Sequence, residues 1–426
     1  MVQDMFFPEG LQNLAPVWTR TGSLIASHAA GSYIYDQNDI PYLDFTCGIG
    51  VANTGHCHPL VVRAIQDQAG KLIHGQMNVV INQPVLDLIN ALTGILPPEL
   101  NGFFFSNSGA EAVEGAIKLA RQATKKTNII VFQGSFHGRT IGTMSMTTSK
   151  AGYRSGYQPL MAGVSVAPYP YAYRYGWDSE ETVTWCLNEL EYILRSQTSP
   201  AETAAVVVEP VLGEGGYVVP PASFLQGLRR ICDENGILLI ADEIQTGFGR
   251  TGDWFGFMRS GILPDIMVVS KGLASGMPIS SVISRRELMA KWAPGSHGGT
   301  FGGNAVAAAA GAATIAAIKS DNMLQNAKDM GTELMDGLSE IQSLHPVIGD
   351  VRGLGVMIGV EFSKEKRRPE SAVVKKILQS AFDQHLLLLS CGTDSNVVRF
   401  IPPLNVTKTE VEQALHIFEK AVSNSK

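Results

Sequence analysis

The chain has 426 residues, which is enough for a large domain with its own hydrophobic core and a smaller domain beside it. Hydrophobic residues make up 45% of the sequence and charged residues 17%, so a disordered or fibrous protein is excluded. The formal net charge of -6 predicts no general affinity for nucleic acid or for acidic membranes.

The cysteines and the apolar segments indicate the cellular compartment. The chain contains five cysteines, an odd number scattered along the sequence, which is not the pattern of a disulfide framework. The N-terminal segment MVQDMFFPEG has no basic stretch leading into an apolar one, so no secretory signal is expected. The most apolar helical run, AVAAAAGAATIAAI from Ala305, is too short to span a bilayer and predicts a tightly packed interior helix. We therefore expect a cytoplasmic protein.

The middle of the chain alternates short apolar runs with helical patterns. Several runs are apolar at consecutive positions, which is typical of strands that are buried on both faces of a sheet. Strands interleaved with helices predict an α/β fold with a mainly parallel sheet. The predicted strands are GFFFS ending at Ser106, NIIVFQ from Asn128, GVSVAP from Gly163, AAVVVEP from Ala204, GILLIADE from Gly236, DIMVVSKG from Asp265 and ISSVIS from Ile279.

The two ends of the chain differ from the middle in their sequence pattern. The C-terminal part contains a glycine-broken segment, IGDVRGLGVMIGVEF, a helical pattern from Ser371, and a closing helix TKTEVEQALHIFEKAV that Thr407 can cap. We predict a large domain over residues 61–325 and a small α/β domain formed by residues 1–60 together with residues 326–426.

In an open α/β sheet, ligands bind beyond the carboxyl ends of the strands, so functional residues are expected where strands end. SNSGAEA (106–112) offers free backbone N–H groups at a helix start, which suits a phosphate, although an ordinary helix cap has the same pattern. GSFHGRT (134–140) combines an aromatic ring that can stack on a flat cofactor, an imidazole, and an arginine that can clamp a carboxylate. The alternative for that loop is a core phenylalanine beside a solvated arginine.

Two acidic segments follow later strands. VEPVLGEGG (208–216) places two carboxylates in a glycine-rich turn, but no His or Cys partners stand at ligand spacing, so a metal site is not expected. In ADEIQTGFGRTG (241–252) the glycines fit G-x-G-x-x-G, yet Asp242 and Glu243 stand at the strand end, where a pyrophosphate would be repelled. We interpret that match as a decoy. Asp242 can instead keep the ring nitrogen of a cofactor protonated, or it can be a solvated acid that caps the turn.

One lysine, Lys271 in SKGLASGMP (270–278), comes at the end of an apolar strand. Loss of solvation lowers the pKa of such a lysine and favours the neutral amine that forms an imine, although a lone lysine is more often a surface residue. HGGTFGGN (297–304) is a further phosphate contact or a flexible linker, and His56-Cys57-His58 lacks the second ligand pair that zinc needs. Lys271 with Asp242 at a neighbouring strand end is the arrangement that pyridoxal phosphate (PLP) chemistry requires.

Taken in order, these segments resemble the class III aminotransferases, which include 4-aminobutyrate, ornithine, acetylornithine and ω-amino acid transaminases. The resemblance runs from LDFTCGIGVANTGHCHP (43–59) to VVRFIPPLNV near the C-terminus, and SNSGAEA, FHGRT, EPVLGEGG, DEIQTGFGRTG, SKGLASGMP and GGTFGGN carry it. It implies fold type I of the PLP enzymes, with a seven-stranded sheet. It also implies a homodimer or tetramer in which two subunits share each active site.

The resemblance implies a role for each matching residue around the cofactor. Lys271 forms the Schiff base with PLP and shuttles the proton between the substrate Cα and cofactor C4′. Asp242 pairs with the pyridinium nitrogen, and Gln245 lies near the ring hydroxyl. Phe136 stacks on one face of the ring and Ile244 covers the other.

The phosphate end of the cofactor is assigned in the same way. Ser108, Gly109 and Ala110 hold the phosphate, together with the partner subunit's Thr300. His137 of the FHGRT motif is counted among the cofactor-binding residues.

Two arginines imply the substrate specificity. Arg139 matches the position that binds the distal carboxylate of glutamate or 4-aminobutyrate, and Arg399 matches the arginine that binds the α-carboxylate of glutamate or 2-oxoglutarate. Glu214 neutralises Arg399 when the donor has no α-carboxylate, because an unpaired buried arginine is costly. Ile49 lies where relatives place an apolar wall beside the substrate, and Glu209 matches a further acid of the family's substrate site.

The expected function is ping-pong transfer of an amino group from an ω-amino acid resembling 4-aminobutyrate, or from an amine, to 2-oxoglutarate or pyruvate. The alternatives are an ornithine or acetylornithine transaminase, an amine:pyruvate transaminase, and an aminomutase, against which the Arg399–Glu214 pair counts. A PLP-dependent regulator would carry a DNA-binding domain, for which the chain has no basic segment. Small-molecule donor and acceptor are the expected partners, without nucleic acid or membrane.

Overall fold

The computed structural model describes residues 10–20 and 22–425. The strands are β1 (Ala26–Ala30), β2 (Tyr33–Asp36), β3 (Pro41–Asp44), β4 (Gly102–Ser106), β5 (Asn128–Phe132), β6 (Val164–Ala167), β7 (Thr203–Val208), β8 (Leu238–Asp242), β9 (Ile266–Val269), β10 (Ser280–Ser284), β11 (Ile348–Leu354), β12 (Met357–Lys364), β13 (Arg368–Pro369), β14 (Leu386–Leu387), β15 (Leu389–Cys391) and β16 (Val397–Phe400). The helices are α1 (Cys47–Gly50), α2 (Pro59–Ala69), α3 (Gln83–Thr93), α4 (Gly109–Thr124), α5 (Ile141–Met146), α6 (Ala172–Tyr175), α7 (Ser179–Ser196), α8 (Ala222–Asn235), α9 (Arg286–Met289), α10 (Ala305–Ser320), α11 (Met323–Leu344), α12 (Ser371–Asp383) and α13 (Lys408–Ser423).

The strands predicted for the middle of the chain all form, and they belong to one seven-stranded sheet in the order β4-β10-β9-β8-β7-β5-β6. The pairs β9–β8, β8–β7, β7–β5 and β5–β6 are parallel, and β10 runs antiparallel to both β9 and β4. The predicted mainly parallel sheet is therefore confirmed. The strands also end near the predicted positions, with β4 ending at Ser106 and β8 at Asp242.

Consecutive apolar residues in the central strands face two separate cores. In β5, Ile129 and Val131 pack with the apolar face of α4, whereas Ile130 and Phe132 pack on the other side with α7 and α8. The side chains of a strand alternate between the two faces of its sheet. Because helices cover both faces here, all four side chains are buried. Burial of each such side chain contributes about 1.5–3 kcal/mol, so helices that cover both faces stabilise the sheet.

Both ends of the chain contribute to a four-stranded sheet, β1-β2-β3-β14. Strand β14, from the C-terminal part, pairs in parallel with β3, where Leu386 lies opposite Leu43. The C-terminal part also forms the antiparallel sheet β11-β12-β16-β15. This pairing supports a small domain built from both ends, whose bounds stay a prediction. Residues 1–9 lie outside the described part of the chain. They make up most of the segment MVQDMFFPEG, in which no secretory signal is expected.

Two helices form as the sequence predicts. The alanine-rich helix α10 is largely buried against α2 and α3, and the Asn304 side chain caps it by accepting hydrogen bonds from the N–H groups of Val306 and Ala307. Helix α13 begins with a reciprocal cap between Thr407 and Glu410. Among the described residues, no helix combines the length and apolar character needed to cross a membrane.

Candidate active site

The loops after β4, β5, β7, β8 and β9 surround one cavity of about 520 Å³. This is the position expected for a ligand, beyond the carboxyl ends of the strands. Residues from outside the central sheet complete the wall, namely Ile49 after β3 and Arg399 in β16. Every predicted site residue except Ser108 and Thr300 lines the cavity: Ile49, Gly109, Ala110, Phe136, His137, Arg139, Glu209, Glu214, Asp242, Ile244, Gln245, Lys271 and Arg399.

Asp242 is the last residue of β8 and is buried beside His137. Its Oδ2 lies 2.7 Å from His137 Nδ1, and its Oδ1 accepts a hydrogen bond of 3.1 Å from the N–H of Ile244. Burial opposes the charged imidazole, but the hydrogen bond to Asp242 and its negative charge raise the pKa of His137. These contacts hold the Asp242 carboxylate in one orientation in the cavity wall.

Lys271 follows β9 in the left-handed backbone conformation, with φ of +40°. That conformation costs about 1–3 kcal/mol for a residue with a side chain, so the surrounding structure must hold it. Burial, together with the positive charge of Arg399, lowers the pKa of Lys271 to about 8. The amine is therefore neutral and nucleophilic in a pH range where an exposed lysine is charged.

The cavity meets the N-terminus of α4 at Gly109 and Ala110. The N–H groups of a first helical turn have no partner within the helix, and the helix dipole is positive at this end. Ser108 caps the helix: its hydroxyl accepts a hydrogen bond of 3.3 Å from the N–H of Glu111. A Cβ on Gly109 would lie 2.8 Å from Cδ1 of Ile244, so glycine allows this close approach. The helix start thus offers an anion site beside Ile244.

Glu209, a buried acid after β7, fixes the loop that carries Phe136. Its Oε1 accepts a hydrogen bond of 2.8 Å from the N–H of Phe136, and its Oε2 accepts one of 2.9 Å from the N–H of Gly213. Burial raises the pKa of Glu209 to about 7. This acid therefore ties the Phe136 loop to the turn that carries Glu214, while its predicted place in the substrate site stays a prediction.

Arg399 and Glu214 form a buried ion pair. Arg399 Nη1 lies 2.9 Å from Glu214 Oε2, and the two side chains are 5% and 14% exposed. Burial opposes both charges, but Arg399 and Lys150 lower the pKa of Glu214, and Glu214 raises the pKa of Arg399. Arg399 Nε is buried without a hydrogen-bond partner in the described chain, so the guanidinium retains an unused donor.

Sequence reasoning missed two residues that follow α5, Lys150 and Tyr153. The Tyr153 hydroxyl donates a hydrogen bond of 2.9 Å to Glu214 Oε1, and Lys150 Nζ lies 3.5 Å from the same oxygen. The Arg139 guanidinium lies 4.1 Å from the centroid of the Tyr153 ring, a cation–π contact. The Phe136 ring packs edge-on against the same tyrosine, with centroids 5.6 Å apart. No motif in SKAGY distinguishes these residues from surface ones, so the sequence carries no signal for them.

Ile49 and Gln245 both lie in the wall of the cavity. The Ile49 side chain is 44% exposed and its backbone is left-handed, with φ of +67°. Gln245 Oε1 is buried without a hydrogen-bond partner in the described chain, so it is an unsatisfied acceptor in the cavity wall. Thr300 is exposed and does not line the cavity of its own chain, and its contact with a partner's cofactor stays a prediction.

The histidines of the His56-Cys57-His58 cluster bind separate acids. His56 Nε2 lies 2.8 Å from Asp44 Oδ2, and His58 Nε2 lies 3.0 Å from Asp321 Oδ2. Within residues 10–20 and 22–425, no group of three or more His, Cys, Asp and Glu side chains is arranged to hold a metal ion.

Residues 15–422 match the family model for class III aminotransferases. The chain belongs to that family. It is 38% identical over 413 residues to 5-aminovalerate aminotransferase of Pseudomonas aeruginosa, which covers 96% of this chain and 94% of that protein. It is 37% identical over 422 residues to 4-aminobutyrate aminotransferase of Escherichia coli, and that alignment covers 98% of this chain and 96% of the relative. A solved amine transaminase from an uncultivated Pseudomonas species, in its PLP-bound form, aligns over 100% of this chain and 99% of its own with a TM-score of 0.91 and 29% identity.

Membership of the class III aminotransferases confirms the predicted enzyme class, fold type I and the PLP cofactor. The substrates of the family are an amino donor and a 2-oxo acid.

Proposed function

We propose that this class III aminotransferase transfers the amino group of an ω-amino acid such as 4-aminobutyrate to 2-oxoglutarate in a ping-pong cycle. The observation that carries the proposal is the pair of arginines, Arg139 and Arg399, in the cavity that contains Lys271. Arg139 is exposed and forms no ion pair within the described chain, whereas Arg399 is buried and pairs with Glu214. Two different carboxylate sites suit a cycle in which one substrate has a single carboxylate and the other has two.

The ring end of the cavity fits PLP. When bound, PLP supplies an electron sink for the negative charge that develops on the substrate carbon as its proton leaves. Asp242 would hold the ring nitrogen protonated, because His137 and the N–H of Ile244 already orient its carboxylate. The unsatisfied Oε1 of Gln245 is an acceptor of the kind that a ring hydroxyl requires.

The phosphate end fits as well. The free N–H groups at Gly109 and Ala110 and the helix dipole suit a dianion, and the Ser108 hydroxyl can still donate while it accepts from the helix. Phe136 and Ile244 would cover the two faces of the ring, and both line the cavity.

Lys271 would attach the cofactor through Nζ and then act as the acid–base group. Its neutral amine would take up the proton that leaves the amino-bearing carbon of the donor, and its protonated form would deliver a proton at cofactor C4′. The lowered pKa of about 8 allows both steps, because it keeps the protonated and neutral forms close in free energy near neutral pH.

Substrate choice would follow from the arginines. Arg139 binds the distal carboxylate of either substrate through two parallel hydrogen bonds. Arg399 stays with Glu214 while 4-aminobutyrate is bound, and an α-carboxylate of glutamate or 2-oxoglutarate takes the place of Glu214 in the other half-reaction. The 4-aminobutyrate and 5-aminovalerate aminotransferases among the relatives support donors of this class.

The enzyme would act as a homodimer, or as a tetramer made of two such dimers, in the cytoplasm. An exposed apolar surface supports a dimer, because large apolar patches on a monomer mark interaction sites. It contains Ile73, Val79, Val80, Ile81 and Phe301, and Phe301 is adjacent to Thr300. A second copy that covers this surface could bring the partner subunit's Thr300 to the phosphate.

A panel of donors and acceptors tests the proposed function. The donors are 4-aminobutyrate, 5-aminovalerate, ornithine, acetylornithine, β-alanine and 1-phenylethylamine, each with 2-oxoglutarate and with pyruvate. We expect the highest kcat/KM for 4-aminobutyrate or 5-aminovalerate with 2-oxoglutarate. A preference for 1-phenylethylamine with pyruvate would show instead an amine:pyruvate transaminase.

A further inference from the structure

The Glu214 carboxylate is divided between two sets of donors. Its Oε2 accepts a hydrogen bond of 2.9 Å from Arg399 Nη1. Its Oε1 accepts one of 2.9 Å from the Tyr153 hydroxyl and lies 3.5 Å from Lys150 Nζ. An arginine that faces a carboxylate without competition tends to form two parallel hydrogen bonds. Here the ion pair has only one, because other donors occupy Oε1.

We propose that Lys150 and Tyr153 are positioning residues that determine how readily a substrate α-carboxylate displaces Glu214 from Arg399. The inference rests on the proposed exchange of carboxylates at Arg399. When Arg399 turns to the substrate, Oε1 keeps its two donors, so Glu214 is not left buried and unpaired. An unpaired buried charge is strongly destabilising, and without these donors it would oppose binding of glutamate or 2-oxoglutarate.

The positions of the donors in the chain allow this exchange. Lys150 and Tyr153 follow α5, whereas Arg399 lies in β16, so Arg399 can move without displacing them. Burial and the charge of Glu214 raise the pKa of Tyr153 to about 12, so its hydroxyl remains a donor at neutral pH. Lys150 attracts Glu214 but repels Arg399 while the pair is closed, and only the attraction to Glu214 remains once Arg399 is neutralised by substrate.

Tyr153 also connects the two carboxylate sites. Its hydroxyl bonds to Glu214, and its ring lies under the guanidinium of Arg139 at 4.1 Å. A substitution that removes the hydroxyl and keeps the ring therefore separates the two contacts. Tyr153→Phe keeps the support of Arg139 and removes only the hydrogen bond to Glu214.

Two substrates measure the exchange directly. Glutamate is 4-aminobutyrate with an added α-carboxylate, so the distal carboxylate is common to both and only glutamate has to open the Arg399–Glu214 pair. The measured quantity is the ratio of kcat/KM for glutamate to kcat/KM for 4-aminobutyrate, from single-turnover changes in the visible absorbance of the PLP-loaded enzyme. A structural defect lowers both values and leaves the ratio unchanged, whereas a change at the pair alters the ratio.

We expect Tyr153→Phe to lower the ratio about tenfold, because a hydrogen bond to a charged group contributes about that factor. Lys150→Met should lower it about threefold, since a longer, partly exposed ion pair is weaker. Lys150→Arg, which keeps the charge, should restore most of it. The matched control is Lys408→Met, which removes a surface lysine that pairs with Glu333 at 2.9 Å and should not change the ratio.

Glu214→Gln separates the inference from the function on which it rests. We expect this substitution to raise the ratio, and Tyr153→Phe to have no further effect in its background. If Glu214→Gln leaves the ratio unchanged, the carboxylate exchange is wrong, and the inference is overturned with that part of the proposed function. If Glu214→Gln changes the ratio but Tyr153→Phe and Lys150→Met do not, only the role of Lys150 and Tyr153 is overturned.

Discussion

Replacement of Arg139 by methionine tests the assignment of the distal carboxylate site. The guanidinium is exposed, has no ion-pair partner within the described chain and is supported by the Tyr153 ring at 4.1 Å, so its donors are available to a substrate. Loss of a hydrogen bond to a carboxylate costs about 1.5–3 kcal/mol. We therefore expect Arg139→Met to lower kcat/KM for 4-aminobutyrate by roughly 10-fold to 150-fold. The kcat/KM of Arg139→Lys should lie between those of the unmodified enzyme and Arg139→Met, because lysine keeps the charge but not the planar fork of the guanidinium.

The assay compares 4-aminobutyrate with butylamine, which has the same carbon chain and no carboxylate. Butylamine turnover should change by less than about threefold in Arg139→Met, because the lost donor has no partner on that substrate. The control is Arg63→Met in α2, where the arginine is 82% exposed and lies 3.8 Å from Asp67. Equal losses for butylamine and 4-aminobutyrate would refute the assignment and show that Arg139 serves the loop rather than the substrate.

Four further outcomes are expected. Lys271→Ala should abolish turnover and the borohydride-reducible link between cofactor and protein, and normal turnover would contradict its role. The pKa of Lys271 is lowered from 10.5 to about 8, so the amine is charged below pH 8 and neutral above it. The rate of PLP addition to the apoenzyme should therefore increase through pH 8 and level off above it. A rate that continues to increase up to pH 10 would contradict the shift. Gly109→Ala places a Cβ 2.8 Å from Ile244 Cδ1 and should weaken PLP binding about tenfold by titration, whereas Gly152→Ala, with open space around its Cβ, should not. Thr300→Val should weaken PLP binding, while analytical ultracentrifugation should show a dimer of unchanged mass. Unchanged PLP binding would contradict a contact between Thr300 and the partner's cofactor.

The sheet was predictable because each central strand is buried on both faces and bounded by turn residues. The run IIVF (129–132) has no polar position, and the structure explains this by the two cores on either side of β5. The location of the site was predictable for a related reason. Parallel strands bring their carboxyl ends to one edge, so residues that follow different strands meet there. Asp242 and Lys271 line the same cavity although 29 positions separate them in the sequence.

Apart from the Arg399–Glu214 pair, which the family resemblance implies, the contacts within the site were not predictable, because they join side chains from distant segments. The hydrogen bond between His137 and Asp242 spans 105 positions, and that between Tyr153 and Glu214 spans 61. Neither partner of such a pair alters the local pattern of apolar and polar residues around the other. Tyr153 and Lys150 lie in a segment without repeat, motif or periodicity, so only the fold reveals that they face Glu214.

The G-x-G-x-x-G match shows why a glycine pattern alone does not define a ligand. Gly249 has φ of +88°, and a Cβ there would lie 2.6 Å from Leu404 Cδ1, so this glycine admits a leucine of the C-terminal part of the chain. Arg250, between the glycines, is fully buried, where it donates to Asn53 Oδ1 at 2.7 Å and to the carbonyl of Pro402. A missing side chain allows close approach by any group, a pyrophosphate or a packed leucine alike. The carboxylate of Asp242, at the end of the preceding strand, argues against a pyrophosphate here, because it repels a phosphate. It attracts a protonated ring nitrogen instead.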